Sequence, residues 1–255
     1  MAPDTTSQAD IPTRRLTAPK RIGIVIFERC QIIDATGPAA VFGSANEVHM
    51  AEGGSGPLYD LRMIAGRSGP VHTSTGISLF ADSTLKDAVP PIDTLICAGG
   101  KGSLKFIEDS DAIDDIRRLT RSARRGVSVC TGAYILAAAG RLDGRRAVTH
   151  WAHCRNLADR FPNVRVEPDP IFIKDGNVYT SAGVTAGMDL ALALLEEDHG
   201  KALALNVARE MVMYMKRPGS QTQFSRQLSA QMAPRGDIRK VQIWLLDRLA
   251  DDISV

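Results

Sequence analysis

Short, almost wholly apolar runs alternate with stretches of helical spacing along most of the chain. Arg21-Ile22-Gly23-Ile24-Val25-Ile26-Phe27 has the pattern of a strand covered on both faces in a parallel sheet. Leu58 to Ala65, Asp93 to Gly100 and Gly126 to Val129 repeat it. Between them lie a helix running to about Met50 and an amphipathic helix from Asp109 to Arg125, with Ile113, Ile116, Leu119 and Ala123 on one face. An Ala/Leu-rich helix follows Cys130 and is bounded by Gly140. This alternation predicts an α/β fold with an open, mostly parallel sheet flanked by helices.

Smaller features fill in the rest. Val71 to Leu79 alternates like a hairpin arm, and Asp175-Gly176 is the turn between strands at Ile171–Ile173 and Asn177–Thr180. A short strand is expected at Ala147–Trp151, with helices at Trp151–Phe161, Met188–Asp198 and Lys201–Met215. Residues 1–20 lack periodicity and read as a flexible leader, 21–217 as one α/β domain and 218–240 as a polar linker. The amphipathic stretch Ile238 to Ala250 leaves an apolar face with no partner in the remaining sequence.

Composition narrows the classes. In 255 residues, 44% hydrophobic and 24% charged, the net charge is only +2, too mild to argue for nucleic acid or a membrane by charge alone. No apolar run approaches a membrane span, and no signal-peptide core opens the chain. The four cysteines, Cys30, Cys97, Cys130 and Cys154, form no C-x-x-C pair and no zinc spacing. The expectation is a reduced, cytoplasmic protein with no metal and no cofactor.

Chemistry concentrates at Gly126-Val127-Ser128-Val129-Cys130-Thr131-Gly132-Ala133, a strand, a thiol and a helix in immediate succession. Such a turn presents its side chain at the top of a sheet. The helix N-terminus behind it favours an anion, so Cys130 is expected to be more thiolate-like than a free cysteine. Gly132 leaves room for a ligand to approach the amides behind the sulfur. Asp34 stands where the first strand gives way to a helix, the edge at which open α/β sheets bind ligands. The paired glycines Gly99 and Gly100 end another buried strand, and their N–H groups are candidates to serve an oxyanion opposite Cys130. His150 closes the short strand after the elbow helix and is the candidate partner of the thiol.

Ile32-Ile33-Asp34-Ala35-Thr36-Gly37-Pro38, Cys97-Ala98-Gly99-Gly100, Val129-Cys130-Thr131-Gly132-Ala133, Thr149-His150-Trp151 and Thr180-Ser181-Ala182-Gly183 stand in that order. As a set they resemble the ThiJ/PfpI superfamily, a branch of the class I glutamine-amidotransferase-like fold with flavodoxin-like architecture. More narrowly, the chain resembles the sensor half of AraC-type transcriptional regulators. The resemblance implies functional positions at Cys130, Asp34 and His150, and a ligand-binding neighbourhood of Gly99, Gly100, Thr131, Gly132 and Gly183. It also implies a homodimer, a small-molecule effector, and DNA contact through a helix-turn-helix domain of which 241–255 is the truncated beginning. Two departures argue against glutamine hydrolysis: Ser128 replaces the elbow glycine, and the late His199 is followed by Gly200-Lys201 rather than x-Glu.

Three functions follow from these residues: a ligand-sensing regulator domain, a cysteine-dependent hydratase or hydrolase of a small nitrogen compound resembling isonitrile hydratases, and a redox sensor oxidised at Cys130.

Overall fold

A computed structural model of the protein describes residues 18–88 and 91–215, together with Gln221, Val241 and Trp244. Strand β1 (Lys20–Val25) leads into helix α1 (Ile32–Ala51) and strand β2 (Tyr59–Ala65). A small hairpin, β3 (Gly69–His72) with β4 (Ser78–Ala81), precedes β5 (Ser83–Thr84) and β6 (Thr94–Cys97). Next come α2 (Ser103–Phe106), α3 (Ser110–Ser122), β7 (Arg125–Val129) and α4 (Ala133–Ala138). The remainder holds β8 (Arg146–Ala147), α5 (Cys154–Arg160), β9 (Arg165–Val166), β10 (Phe172–Asp175), β11 (Val178–Ser181), α6 (Ala186–His199) and α7 (Lys201–Glu210).

The main sheet has seven strands in the order β10-β11-β7-β6-β1-β2-β5. All of its pairings are parallel except β10 with β11. Every residue of β6 and β7 is buried, as strands covered by helices on both faces must be. From β1 the chain builds outward through β2 and β5, then returns to the opposite side for β6, β7 and β11. The loops leaving β1 and β6 therefore diverge at the carboxyl edge, and this reversal of strand order opens the crevice in which α/β sheets bind ligands.

Helix α3 shows why a local sequence folds as it does. The Asp109 side chain accepts the Ala112 N–H at 3.0 Å and caps the first turn, while Ile113, Ile116 and Leu119 are buried. Each such side chain contributes roughly 1.5–3 kcal/mol when withdrawn from water. At the opposite, amino edge of the sheet, Arg125 is 1% exposed and donates to Asp198 at 2.5 Å and to the Thr94 hydroxyl at 2.7 Å. Asp198 also accepts from the Tyr59 hydroxyl at 3.0 Å and from Arg124 at 2.7 Å, which ties the end of α6 to the start of β7.

Three elements differ from expectation. The helix foreseen over Trp151–Phe161 begins as a 3-10 turn at Trp151–His153 before α5. The strand foreseen at Ala147–Trp151 is only Arg146–Ala147. The helix foreseen to Met215 stops at Glu210, because Val212 takes a left-handed φ of 53° that no helix continues through. The leader, the linker and the helix-turn-helix opening lie outside the described residues, apart from the few named above; Val241 and Trp244 are helical and exposed. Among the described residues no helix is long and apolar enough to cross a membrane.

Candidate functional site

Four loops meet at the carboxyl edge, and Cys130 stands at their centre, directly after β7 with φ at 55°. A non-glycine residue holds that left-handed conformation only when its surroundings impose it. Here they do: the Cys130 N–H donates to Ala182 O at 3.1 Å, and its carbonyl accepts the Thr149 hydroxyl at 2.7 Å. Two glycines let the neighbouring loops close in. A Cβ on Gly132 would stand 2.2 Å from the Cys97 carbonyl oxygen, and one on Gly99 would stand 2.6 Å from the Thr131 nitrogen and 2.7 Å from Asp34 Oδ2.

Asp34 lies in the first turn of α1 and is completely buried. Its Oδ2 accepts the Gly99 N–H at 3.0 Å. Its Oδ1 is buried with no partner at ordinary hydrogen-bond geometry, and the Cys130 thiol is the side chain placed to engage this carboxyl. Burial raises the Asp34 carboxyl to about 7, against the Gly99 amide and the thiol, which favour the anion. The thiol is pushed up to about 12, chiefly by burial and next by the Asp34 carboxylate, while the Thr131 and Val184 amides and the Thr131 hydroxyl act in the opposite direction.

The thiolate expected from the helix N-terminus is thus corrected. The residues after Cys130 form a 3-10 turn and then the six-residue α4, a weak dipole that burial and an adjacent carboxylate outweigh. Burial thus raises both groups, and of the two it is Asp34 that is brought toward neutrality. That direction gives no support to a redox sensor built on a lowered pKa.

The glycine amides do different work from that expected. Gly99 N–H holds Asp34, and Gly100 N–H donates to the Thr131 hydroxyl at 2.7 Å, so both are occupied by partners within the protein rather than free for a bound oxyanion. Thr131 in turn meets the Ser103 hydroxyl at 2.9 Å. The amides acting on the sulfur belong to Thr131 and Val184, and Val184 reaches it through a left-handed φ of 47°. His150 lies beside Gly183, where a Cβ would stand 2.2 Å from its Cδ2, and its ring neighbours are Trp151 and His153. Its Nδ1 accepts the Ala152 N–H at 3.3 Å, and burial lowers its pKa, with His153 adding to the effect. The group paired with the thiol is Asp34, where the sequence pointed to His150.

Two residues gain importance only in three dimensions. Thr149 fixes the elbow carbonyl, and Gln221, beyond the last described helix, is buried against the same segment. The Gln221 side-chain nitrogen stands 3.1 Å from each of Thr149 O, Pro168 O and Pro170 O, which share its two N–H groups, and the Gln221 backbone N–H donates to Asp169 O at 3.0 Å. No signal in the sequence separates this glutamine from its polar neighbours. Among the described residues no group of three or more His, Cys, Asp or Glu is placed to hold a metal.

A doubly wound sheet with a cysteine elbow and a buried carboxyl beside it defines a class of α/β domains that act on or bind small molecules at the carboxyl edge. Residues 20–197 match the family model described as DJ-1/PfpI family, and the chain belongs to that family. An isonitrile hydratase from Pseudomonas putida is 36% identical over 179 residues, which cover 69% of this chain and 71% of that protein. The HTH-type transcriptional regulator CdhR from Pseudomonas aeruginosa is 34% identical over 63% of this chain. The match covers 47% of CdhR, so this chain spans about half the length of that regulator. In fold, the crystal structure of a ThiJ/PfpI family protein from Pseudomonas syringae superposes with a TM-score of 0.71 and 24% identity, covering 97% of this chain and 93% of that one. Relatives of this domain therefore include both an enzyme and helix-turn-helix regulators.

Proposed function

We propose that this domain is the ligand-sensing, dimerising part of an AraC-type transcriptional regulator in the cytoplasm, with a small metabolite bound over Cys130 and DNA read by a helix-turn-helix segment. The observation that carries the reading is Gln221. A residue past the last helix of the domain is hydrogen-bonded to Thr149, whose hydroxyl holds the carbonyl of Cys130. A ligand that displaces the elbow therefore acts, two hydrogen bonds away, on the segment leading to the tail. Such a ligand changes DNA affinity only in so far as it binds the two arrangements with different free energy.

Iodoacetamide, added in excess at pH 9 to raise the thiolate fraction of a thiol whose pKa burial has pushed up, serves as a covalent stand-in for the ligand. In the complete reading frame carrying this sequence, binding to upstream DNA is expected to be salt-dependent and to change several-fold once Cys130 is alkylated. The change should vanish in Cys130→Ser and shrink in Gln221→Ala, with unmodified DNA affinity retained in both. Absence of specific DNA binding by that frame refutes the reading.

The Asp34–Cys130 pair favours a second reading, a hydratase of isonitriles or similar small nitrogen compounds. Protonated Asp34 would give its proton to the terminal isonitrile carbon as the sulfur bonds to that carbon, with the thiol proton passing to the Asp34 carboxylate. Water would then add to the thioimidate, the C–S bond would break, and an N-formamide and the free thiol would result. Turnover of an alkyl isonitrile to the formamide by this chain, lost in Cys130→Ser, would establish it.

A further inference from the structure

A cavity of about 450 Å3 opens at the carboxyl ends of β1 and β2, and Asp34, Cys130 and Thr131 are not among the residues that line it. Its floor and walls are apolar, formed by the buried Phe27, Val71 and Ala112 and the partly buried Phe106, with the Phe27 and Phe106 rings 4.9 Å apart between centroids. Its rim carries four charged residues, Glu28, Arg67, Lys105 and Asp109. The size and the mixture of an apolar interior with few polar groups are those of a small-molecule pocket.

The rim charges are not equivalent. Arg67 donates to Glu28 at 3.2 Å, and His72 faces the same carboxylate at 3.7 Å, so this pair is internally matched. Asp109 is engaged in capping α3 through the Ala112 N–H. Lys105 has no carboxylate within ion-pair distance among the described residues. The rim thus offers one unmatched cation above an aromatic interior.

We propose that this cavity is a second small-molecule site, for an apolar ligand, aromatic or branched aliphatic, bearing one carboxylate that meets Lys105. The ring or branched body replaces water against Phe27 and Phe106, and the acid stays at the wet rim, where neither charge has to be desolvated. The site is independent of whether Cys130 senses or catalyses. One link joins them: Gly102 and Phe106 line the cavity, and Ser103 between them hydrogen-bonds Thr131 beside the elbow.

The test is an amide-resolved NMR titration of the isotope-labelled chain with phenylacetate, and in parallel with 2-phenylethanol and phenethylamine, which carry the same ring without charge or with the opposite charge. Phenylacetate at millimolar concentration is expected to shift the amides of Gly66, Gly102 and Ala112 first, with a smaller response at Thr131. Lys105→Met should weaken it roughly fivefold, the worth of one exposed charge pair, and high salt should do the same. Ala112→Leu fills the cavity and should abolish binding. Gly66→Val adds a side chain at a lining position where a Cβ meets nothing within 4 Å; it should fold and weaken binding, which keeps the proposal testable if the first variant folds poorly. Binding should persist in Cys130→Ser. The proposal fails if phenylacetate leaves the cavity amides unmoved, if its effects centre on Gly99 and Thr131 and vanish in Cys130→Ser, or if the alcohol or the amine binds as tightly as the acid.

Discussion

The two edges of the sheet bury charge in opposite ways. At the amino edge, Asp198 accepts from Arg125, Arg124 and Tyr59, and Arg125 also reaches Thr94, while among the described residues its Nη1 has no hydrogen-bond partner and only Glu197, 4.0 Å away, to balance it. At the carboxyl edge, Asp34 is equally buried but has one backbone amide, a thiol neighbour and an oxygen without a partner. A carboxylate held by two guanidinium groups and a phenol ties elements together and fixes the structure. One without them waits for a proton or a ligand, and its titration range near neutrality marks it as the group that can exchange one.

If this division holds, Asp198→Ala should be the most damaging change. It leaves Arg125 buried without its partner, and removing one member of a buried pair costs about 3–5 kcal/mol. Chemical denaturation measures that loss, whereas iodoacetamide should alkylate Cys130 in the folded variant at the wild-type rate; a changed rate would mean that the edges are coupled.

Asp34→Asn sharpens the comparison from the other side. The Asp34 pKa is higher folded, about 7, than its ordinary value of 3.8, so the unfolded chain gives up its proton first as pH rises. The carboxyl thus favours the folded state below pH 4 and loses that contribution between pH 4 and 7, by up to about 4 kcal/mol if nothing relaxes. Asparagine keeps an acceptor for Gly99 and carries no charge. The variant should match wild type near pH 4 and exceed it in melting temperature at pH 8, and Cys130, freed of an adjacent anion, should alkylate faster. A stability difference that does not depend on pH would remove Asp34 from the titrating role.

The sequence shows the frame of this arrangement clearly and its wiring poorly. Buried parallel strands announce themselves as apolar runs, and the small residues around Cys130 and after Cys97 signal close approach, so the elbow, the Asp34 turn and the glycine pair are all legible. What each amide donates to is not. Gly99 and Gly100 look free along the chain because their acceptors, Asp34 and Thr131, come from other loops. The dipole argument for a thiolate omits a carboxylate 96 residues away in sequence. His150 follows the elbow closely enough to invite pairing, yet a 3-10 turn and Gly183 fix its ring beside Trp151 and His153. Val184 and Gln221 act through a left-handed backbone and a nest of carbonyls, neither of which leaves a pattern in side-chain polarity.

The smallest of these effects tests whether the elbow is held in its strained form from outside. Thr149→Val keeps the volume of the side chain and removes only the hydroxyl that donates to Cys130 O at 2.7 Å. Losing a buried donor costs about 1–3 kcal/mol, because the acceptor is left dry and unpaired. That is less than the Asp198 change, but it falls on the residue whose φ of 55° needs support. Part of the loss should therefore appear as relaxation of Cys130 toward ordinary backbone angles, read as faster exchange of its amide from the bond to Ala182 O. The Gln221 bond to Thr149 uses the backbone carbonyl and survives the substitution, so the two supports separate. Unchanged exchange at Cys130 in a destabilised Thr149→Val would show that the Ala182 bond and the glycine-lined turn hold the elbow without help from Thr149.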